Sequence, residues 1–261
     1  MKKRVDEDNI ILYLDNDSSG LLKYKRSQVS SFIIIAIIIL VVSLIFLVIR
    51  YNSQTELINP DIQPVNSFVQ NCVEKASIDA VNHIGETGGY FYSSNISYNA
   101  IAYYFYEDKN YMPSKEKIEE ELSKYVNNML FFCAKHFEEL SDYEIKQGEI
   151  KTKTLIEDEK IIFNIDYPLS IKKGENSYTL KNFQTEIPVR LGIIYKVVEK
   201  LMQEQMNEKN SICISCVQSL AEEHDLYFVT FEPEERIIIF YVIDKTNGGE
   251  YVFNFASRYE I

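Results

Sequence analysis

Tryptophan is absent from this 261-residue sequence, and only three histidines and nine glycines are present. The catalytic signatures that need those residues are also missing, because there is no HExxH, no GxSxG and no glycine-rich phosphate loop. His83, His136 and His224 do not lie beside a serine, cysteine or acid in a nucleophile pattern. The sequence therefore favours a non-catalytic role and implies no cofactor.

Positive charge is scarce as well, and the net charge at pH 7 is −12. The imbalance lies in residues 51–261, which carry 20 lysines and arginines against 34 aspartates and glutamates. Such a field repels phosphate backbones. We therefore exclude nucleic acid as a partner of this part of the chain.

A long apolar run is present, in contrast, at residues 32–49, which contain no charge and a single hydroxyl group. Extended back to Val29, the run makes a helix of about 31 Å, enough to cross a hydrocarbon core. Lys23, Lys25 and Arg26 precede it, whereas only Arg50 follows closely. This asymmetry predicts a single-pass protein of the cell membrane, with a cytoplasmic N-terminus and an extracytoplasmic C-terminal domain.

The chain divides into four parts on this basis. Residues 1–28 form a cytoplasmic tail or leader, residues 29–50 the transmembrane helix, and residues 51–64 a linker with two prolines. Residues 65–261 are long enough to bury a core and are predicted to form the extracytoplasmic domain.

Helical periodicity appears in four segments of that domain. The first follows residues 65–84 and is expected to end at Gly85, and the second begins at Pro113-Ser114 and continues to Phe137. The third covers residues 191–206, and a shorter helix begins near Cys213.

Extended patterns fill the remaining segments. Residues 149–190 and 227–256 each predict a three-stranded antiparallel meander, with Pro168 and Pro188 at edges or bulges and Asn247-Gly248 as a hairpin turn. The aromatic segment 90–106 fits either a strand or a loop. The predicted fold class is α+β, with an N-terminal transmembrane helix followed by helices and two antiparallel β meanders.

All four cysteines follow the apolar run, so in an oxidising exterior they are expected to pair. Of the three connectivities, we favour Cys72 with Cys133, which lie on the apolar stripes of two helices, and Cys213 with Cys216. The second pair forms a CxxC motif at a helix start, where a helix N-terminus can make a dithiol reactive. It is either a structural disulfide or a redox pair. A third alternative is a zinc site of Cys133, His136, Cys213 and Cys216, whose two pairs have tetrahedral ligand spacing.

Three short motifs have both a functional and a structural interpretation. Gly88-Gly89-Tyr90 is either a contact loop that binds a partner or a tight turn before aromatic core residues. Ser114-Lys115-Glu116-Lys117 matches S-x-x-K, but a helix cap explains the serine better. Asn95-Ile96-Ser97 is a glycosylation sequon.

The segment KRSQVSS at residues 25–31, followed by the apolar run, resembles the N-terminus of archaeal type IV pilin-like proteins. The resemblance implies that a prepilin-type peptidase cuts after Ser27, so that Gln28 begins the mature chain. Ser27 stands where glycine is commoner, and Phe32 where many pilins carry an acid. The region after the run, with Cys72 on a helix and a Gly-Gly-Tyr exit, is also similar to single-pass archaeal membrane proteins, and this likeness implies no activity.

Three functional hypotheses follow. The first is a membrane-anchored extracytoplasmic protein with a binding or structural role in the cell envelope, pilin-like in its anchor, whose partners are the lipid bilayer and an envelope protein or further copies of itself. The alternative is a membrane-tethered thiol-disulfide oxidoreductase that uses Cys213 and Cys216. The third is a small-molecule receptor or assembly subunit.

Overall fold

The computed structural model describes residues 33–44, 59–135, 137, 140–210, 212–246 and 248–259. Residues 33–44 form helix α1, and its large apolar side chains are between 47% and 60% exposed. None of the described helices is both long and apolar enough to cross a membrane. The rest of the predicted span, residues 29–32 and 45–50, lies outside the described residues, as do Ser27 and Gln28.

The described residues from 59 onward belong to a second unit that combines helices with two sheets, which confirms the α+β class. Its first element is a 3-10 helix at Pro60–Ile62, within the predicted linker. Ile62 is buried, and the Asp61 carboxylate accepts hydrogen bonds from Tyr178 Oη at 2.8 Å and Lys173 Nζ at 3.4 Å. These contacts explain why the end of the predicted linker packs against the rest of this unit.

Helix α2 (Gln63–Thr87) carries the apolar stripe expected for residues 65–84. The prediction that it ends at Gly85 is wrong, because Gly88 ends it in the left-handed conformation with φ of 72°. Gly85 lies inside the helix, where an added Cβ would be 2.5 Å from the carbonyl oxygen of Val252. The glycine therefore allows a strand to approach the helix closely, and a helix interior tolerates it at a modest cost.

Helix α3 (Lys115–Ala134) begins where the sequence predicts. The Ser114 hydroxyl oxygen accepts a hydrogen bond from the Lys117 backbone N–H at 3.2 Å, so Ser114 is the N-cap. The buried face of α3 packs against α2, and the Cys72–Cys133 disulfide joins the two helices with a Cα–Cα distance of 5.9 Å.

The first sheet contains the predicted meander and one further strand. Its strands are β4 (Glu144–Gln147), β5 (Lys151–Ile156), β6 (Ile161–Lys173) and β7 (Asn176–Ile187). Strand β7 pairs along the length of β6, while β5 and β4 pair with successive halves of β6, all antiparallel. The register shifts between Asp166 and Leu169, so Pro168 sits at a bulge as predicted, and its carbonyl accepts the N–H of Gly148 at 2.8 Å.

The second sheet confirms the predicted C-terminal meander but is not purely antiparallel. Its strands are β1 (Ser97–Tyr98), β2 (Ile101–Tyr106), β3 (Lys109–Asn110), β8 (Leu226–Glu234), β9 (Ile237–Asp244) and β10 (Tyr251–Arg258). The meander β8–β9–β10 is antiparallel as predicted, and β2, from the aromatic segment, adds a parallel pairing with β10 that the prediction did not include. Asn247 lies outside the described residues, and residues 245–250 connect β9 to β10.

The last two helices precede β8 along the chain. They are α4 (Leu191–Asn207) and α5 (Ile214–His224). Asp225, in the left-handed conformation with φ of 54°, leads from α5 directly into β8. One apolar cluster includes side chains from α2, α3, α4, α5 and both sheets, and it is the main core of the unit.

Candidate functional site

The Cys213–Cys216 disulfide lies at the first turn of α5, with a Cα–Cα distance of 5.2 Å. Cys213 is the N-cap of the helix, and its Sγ accepts the backbone N–H of Cys216 at 3.2 Å. The Ser215 hydroxyl is also within 3.5 Å of the same sulfur. Ile214, between the cysteines, is 75% exposed. The motif therefore sits on the surface with two hydrogen-bond donors beside Cys213.

A groove lies between α5 and β8 and includes a residue of the CxxC motif in its wall. Its cavity volume is about 550 Å³, and Ile214, Val217 and Ala221 supply one side while residues 226–229 supply the other. The charged side chains in its lining are both acidic, Glu222 and Asp225. The groove is thus apolar, with negative charge where α5 ends.

Three large apolar side chains on β8, Tyr227, Val229 and Phe231, form a strip that we call the β8 strip. They are 59%, 50% and 54% exposed, and they alternate along the strand, so they point to one face of the sheet. Strand β8 is the last in its sheet, and no described strand pairs with its second edge. An exposed apolar strip on an unpaired edge is a feature of interaction surfaces.

A buried ion pair holds α5 in place against the end of β9. Arg190 is 8% exposed and Asp244 is 4% exposed, and the Arg190 Nη1 lies 3.2 Å from the Asp244 Oδ1. The Arg190 Nη2 donates to the backbone carbonyl of His224, the last residue of α5, at 2.9 Å. Thr246 donates its N–H and its hydroxyl to the same Asp244 oxygen. This network positions the helix that carries the CxxC motif.

The second disulfide has a different environment. Cys72 is 4% exposed, and Cys133 is partly buried against the main core. Both pairings are the ones that the sequence favoured. In this structure the cysteines of the zinc alternative are therefore in disulfides, and His136 lies outside the described residues. Within the described part of the chain, no group of three His, Cys, Asp or Glu side chains is arranged to hold a metal ion.

Gly88, Gly89 and Tyr90 form a tight turn at the end of α2. Both glycines have positive φ, 72° and 92°, and a Cβ on Gly88 would lie 2.9 Å from the carbonyl oxygen of Asn254. Tyr90 is half-buried against the core, and its carbonyl accepts a hydrogen bond from the Thr87 hydroxyl. Chain geometry and packing therefore account for this motif without a bound partner.

Two further sequence features have clear positions. Asn95 of the sequon is exposed, as a glycosylation site must be. His83 is occupied by a structural contact, because its Nε2 lies 2.8 Å from the carbonyl oxygen of Phe91. Neither residue adjoins the CxxC motif in the contacts described.

Sequence reasoning found the CxxC motif but missed the groove, the β8 strip and the Arg190 network. Residues 226–231 read LYFVTF and are apolar or aromatic at five of six positions, so the sequence does not show which of these side chains stay exposed. Arg190 precedes a helix and has no sequence signature that separates it from a surface arginine. The site thus combines a partly buried disulfide at the surface, an apolar groove and a sheet edge. No protein-family model, curated protein or solved structure matches the chain.

Proposed function

We propose that this chain is a single-pass membrane protein that holds an extracytoplasmic α+β binding domain at the cell surface. The observation that carries the proposal is α1, in which every residue from 33 to 44 is exposed and nearly all are large and apolar. A helix that is apolar on all sides belongs in an apolar environment, not on one face of a water-soluble domain. The surrounding run of residues 32–49 supplies the length needed for a span.

Both disulfides support an extracytoplasmic domain. Disulfides persist in oxidising compartments and are rare in the cytosol. The Cys72–Cys133 bond closes a loop of 61 residues across the main helix pair, so the stability of this domain depends on an oxidising location. The basic residues before the apolar run favour the same orientation.

The β8 strip and the adjoining groove support a binding role. Soluble domains seldom expose several large apolar side chains side by side unless a partner covers them. A membrane anchor would hold this surface near other envelope components and raise the local concentration of any anchored partner.

Membrane extraction tests the anchor directly. We expect the full-length chain to stay in the membrane pellet after an alkaline carbonate wash, and a variant with Ile37→Asp and Val41→Asp to move to the supernatant. Ile78→Asp is the matched control, because Ile78 is an exposed isoleucine on α2, and it should leave the protein in the pellet. A wild-type protein that the wash releases would refute the anchor.

Orientation is tested by protease treatment of intact cells. External protease should remove the domain of the wild-type protein, and alkylation in whole cells should find no free thiol. A protected domain with four reactive thiols would contradict the extracytoplasmic placement. Intact-mass measurement of the extracted protein tests the pilin-like part of the proposal, because cleavage after Ser27 removes 27 residues.

A further inference from the structure

We propose that Cys213 and Cys216 form a redox-active pair that oxidises a dithiol in an extended polypeptide held in the groove between α5 and β8. This inference rests on the groove that supports the proposed binding role and adds a reaction to it. The reaction with dithiothreitol needs no groove, so it distinguishes a failure of the redox pair from a failure of the binding site. Three features carry it: the partly buried CxxC disulfide beside the exposed Ile214, the donors around Cys213 Sγ, and the apolar groove whose lining reaches the motif at Ile214.

Cys213 is the sulfur better suited to leave in the second step of the exchange, when the oxidised substrate is released. The Cys216 N–H at 3.2 Å and the Ser215 hydroxyl at 3.5 Å both approach Cys213 Sγ, and a thiolate there would keep these donors. The first turn of α5 adds the positive end of the helix dipole. Negative charge on Cys213 is therefore stabilised before any substrate arrives.

The exchange has two steps. A substrate thiolate attacks Cys213 Sγ, the Sγ–Sγ bond breaks, and Cys216 leaves as a thiolate that takes up a proton. The second substrate thiolate then attacks the substrate sulfur of this mixed disulfide, and Cys213 leaves as a stabilised thiolate. The substrate loses two electrons and two protons to become a disulfide, and the protein gains both to become a dithiol.

The groove indicates what kind of substrate fits. Its wall is apolar, and its charged lining residues, Glu222 and Asp225, are acidic. The unpaired edge of β8 offers backbone N–H and C=O groups to an added strand. The fitting occupant is therefore an extended, reduced segment with apolar side chains near its cysteines and a basic flank, as exposed during folding of another envelope protein.

The second disulfide provides an internal comparison. Cys72–Cys133 is the same type of bond, but Cys72 is only 4% exposed and lies between two packed helices. Exchange chemistry at the surface pair should therefore leave this bond intact under native conditions. Selective reactivity can be measured in the wild-type protein without any substitution.

The test uses the oxidised full-length protein in detergent and two peptides that share a Cys-x-x-Cys dithiol. One peptide is rich in leucine, valine and lysine, and the other in serine and glutamate. We expect the first to be oxidised at least about tenfold faster, because it buries apolar area and meets opposite charge. Alkylation followed by mass spectrometry should then find one new dithiol per protein, at Cys213 and Cys216. Peptides that stay reduced, or labels at Cys72 and Cys133, would overturn the proposal.

A trapping experiment tests the role of each cysteine. With Cys216→Ala, the free Cys213 should attack a single-cysteine version of the apolar peptide supplied as its mixed disulfide with 2-nitro-5-thiobenzoate. The aromatic thiolate leaves, and a protein–peptide disulfide should accumulate because neither partner has a second thiol to resolve it. Cys213→Ala should accumulate about tenfold less, because the Cys216 thiolate lacks the donors around Cys213. Equal trapping by the two variants would refute the assignment of Cys213 as the attacked sulfur.

A surface substitution tests the groove. Ile214→Ser should slow oxidation of the apolar peptide about tenfold, since it removes a large apolar contact, and should slow the reaction with dithiothreitol by a clearly smaller factor. Ile78→Ser is the matched control on α2 and should alter neither rate. If Ile214→Ser slows both substrates equally, or neither, the groove is not the substrate site.

Discussion

Loss of the Cys72–Cys133 disulfide should lower the stability of the domain far more than loss of the Cys213–Cys216 disulfide. The first bond closes a loop of 61 residues and the second a loop of three. In the chain-entropy model these lengths correspond to about 4 kcal/mol and about 2 kcal/mol at 25 °C. For a domain of this size, the larger loss lowers the melting temperature by about 10 °C.

The assay compares C72A/C133A with C213A/C216A in urea titrations followed by far-UV circular dichroism, which does not depend on tryptophan. The first variant should unfold at a clearly lower urea midpoint, and the free energy of unfolding of the second should fall by about half as much. The surface pair is the control, because it involves the same substitution at a site where only one helical turn is constrained. Equal losses, or a larger loss for C213A/C216A, would refute the loop-length reasoning.

Three further substitutions test individual contacts inside the domain. Arg190→Met should lower the free energy of unfolding by about 3–5 kcal/mol, because Asp244 is left buried without its cation. An unchanged urea midpoint would refute this role of the ion pair. Burial acts to raise the pKa of Glu121, but hydrogen bonds from Lys117 and Lys124 outweigh the effect of burial. The pKa of Glu121 is therefore below its ordinary value of 4.5. The stability advantage of the wild type over Glu121→Gln should therefore be full above pH 4.5 and shrink as the pH falls below it, and an undiminished gap in acid titrations at pH 3 would contradict this. Gly85→Ala should lower the free energy of unfolding by roughly 1–3 kcal/mol, because the new methyl group meets the carbonyl oxygen of Val252 on β10. This cost should exceed the gain from the better helix propensity of alanine. A raised melting temperature would show that the strand can move away.

Local signals account for what the sequence predicted correctly. Helix α3 is a clear example, because Ser114 caps it and apolar side chains recur at helical spacing within twenty residues. The meanders β5–β6–β7 and β8–β9–β10 join neighbouring strands through short connections, so their pairing follows from chain order. The disulfide of Cys72 and Cys133 follows from two helical stripes that each need a partner.

Pairings between distant segments were not predictable in the same way. Strand β2 pairs with β10 across about 150 residues, and its sequence IAYYFY is buried at four consecutive positions, which hides any alternation. Strand β4 has the polar sequence EIKQ and is held mainly by its pairing with β6. The sequence predicts a helix stop at Gly85 because glycine commonly ends helices. The actual reason for this glycine is a close approach of Val252, which is distant in sequence and therefore invisible to a local pattern.

The candidate site shows why a motif alone leaves its function open. The CxxC spacing is as visible in the sequence as in the structure, but it fits a structural staple and a redox pair equally well. Our redox proposal draws on two observations, the exposure of Ile214 and the apolar groove formed with β8, and both depend on how α5 packs. A three-residue staple contributes about half as much as the 61-residue loop in the same model, and it needs no apolar surface beside it. We therefore propose exchange chemistry rather than reinforcement, and the comparison of the two peptides decides between them.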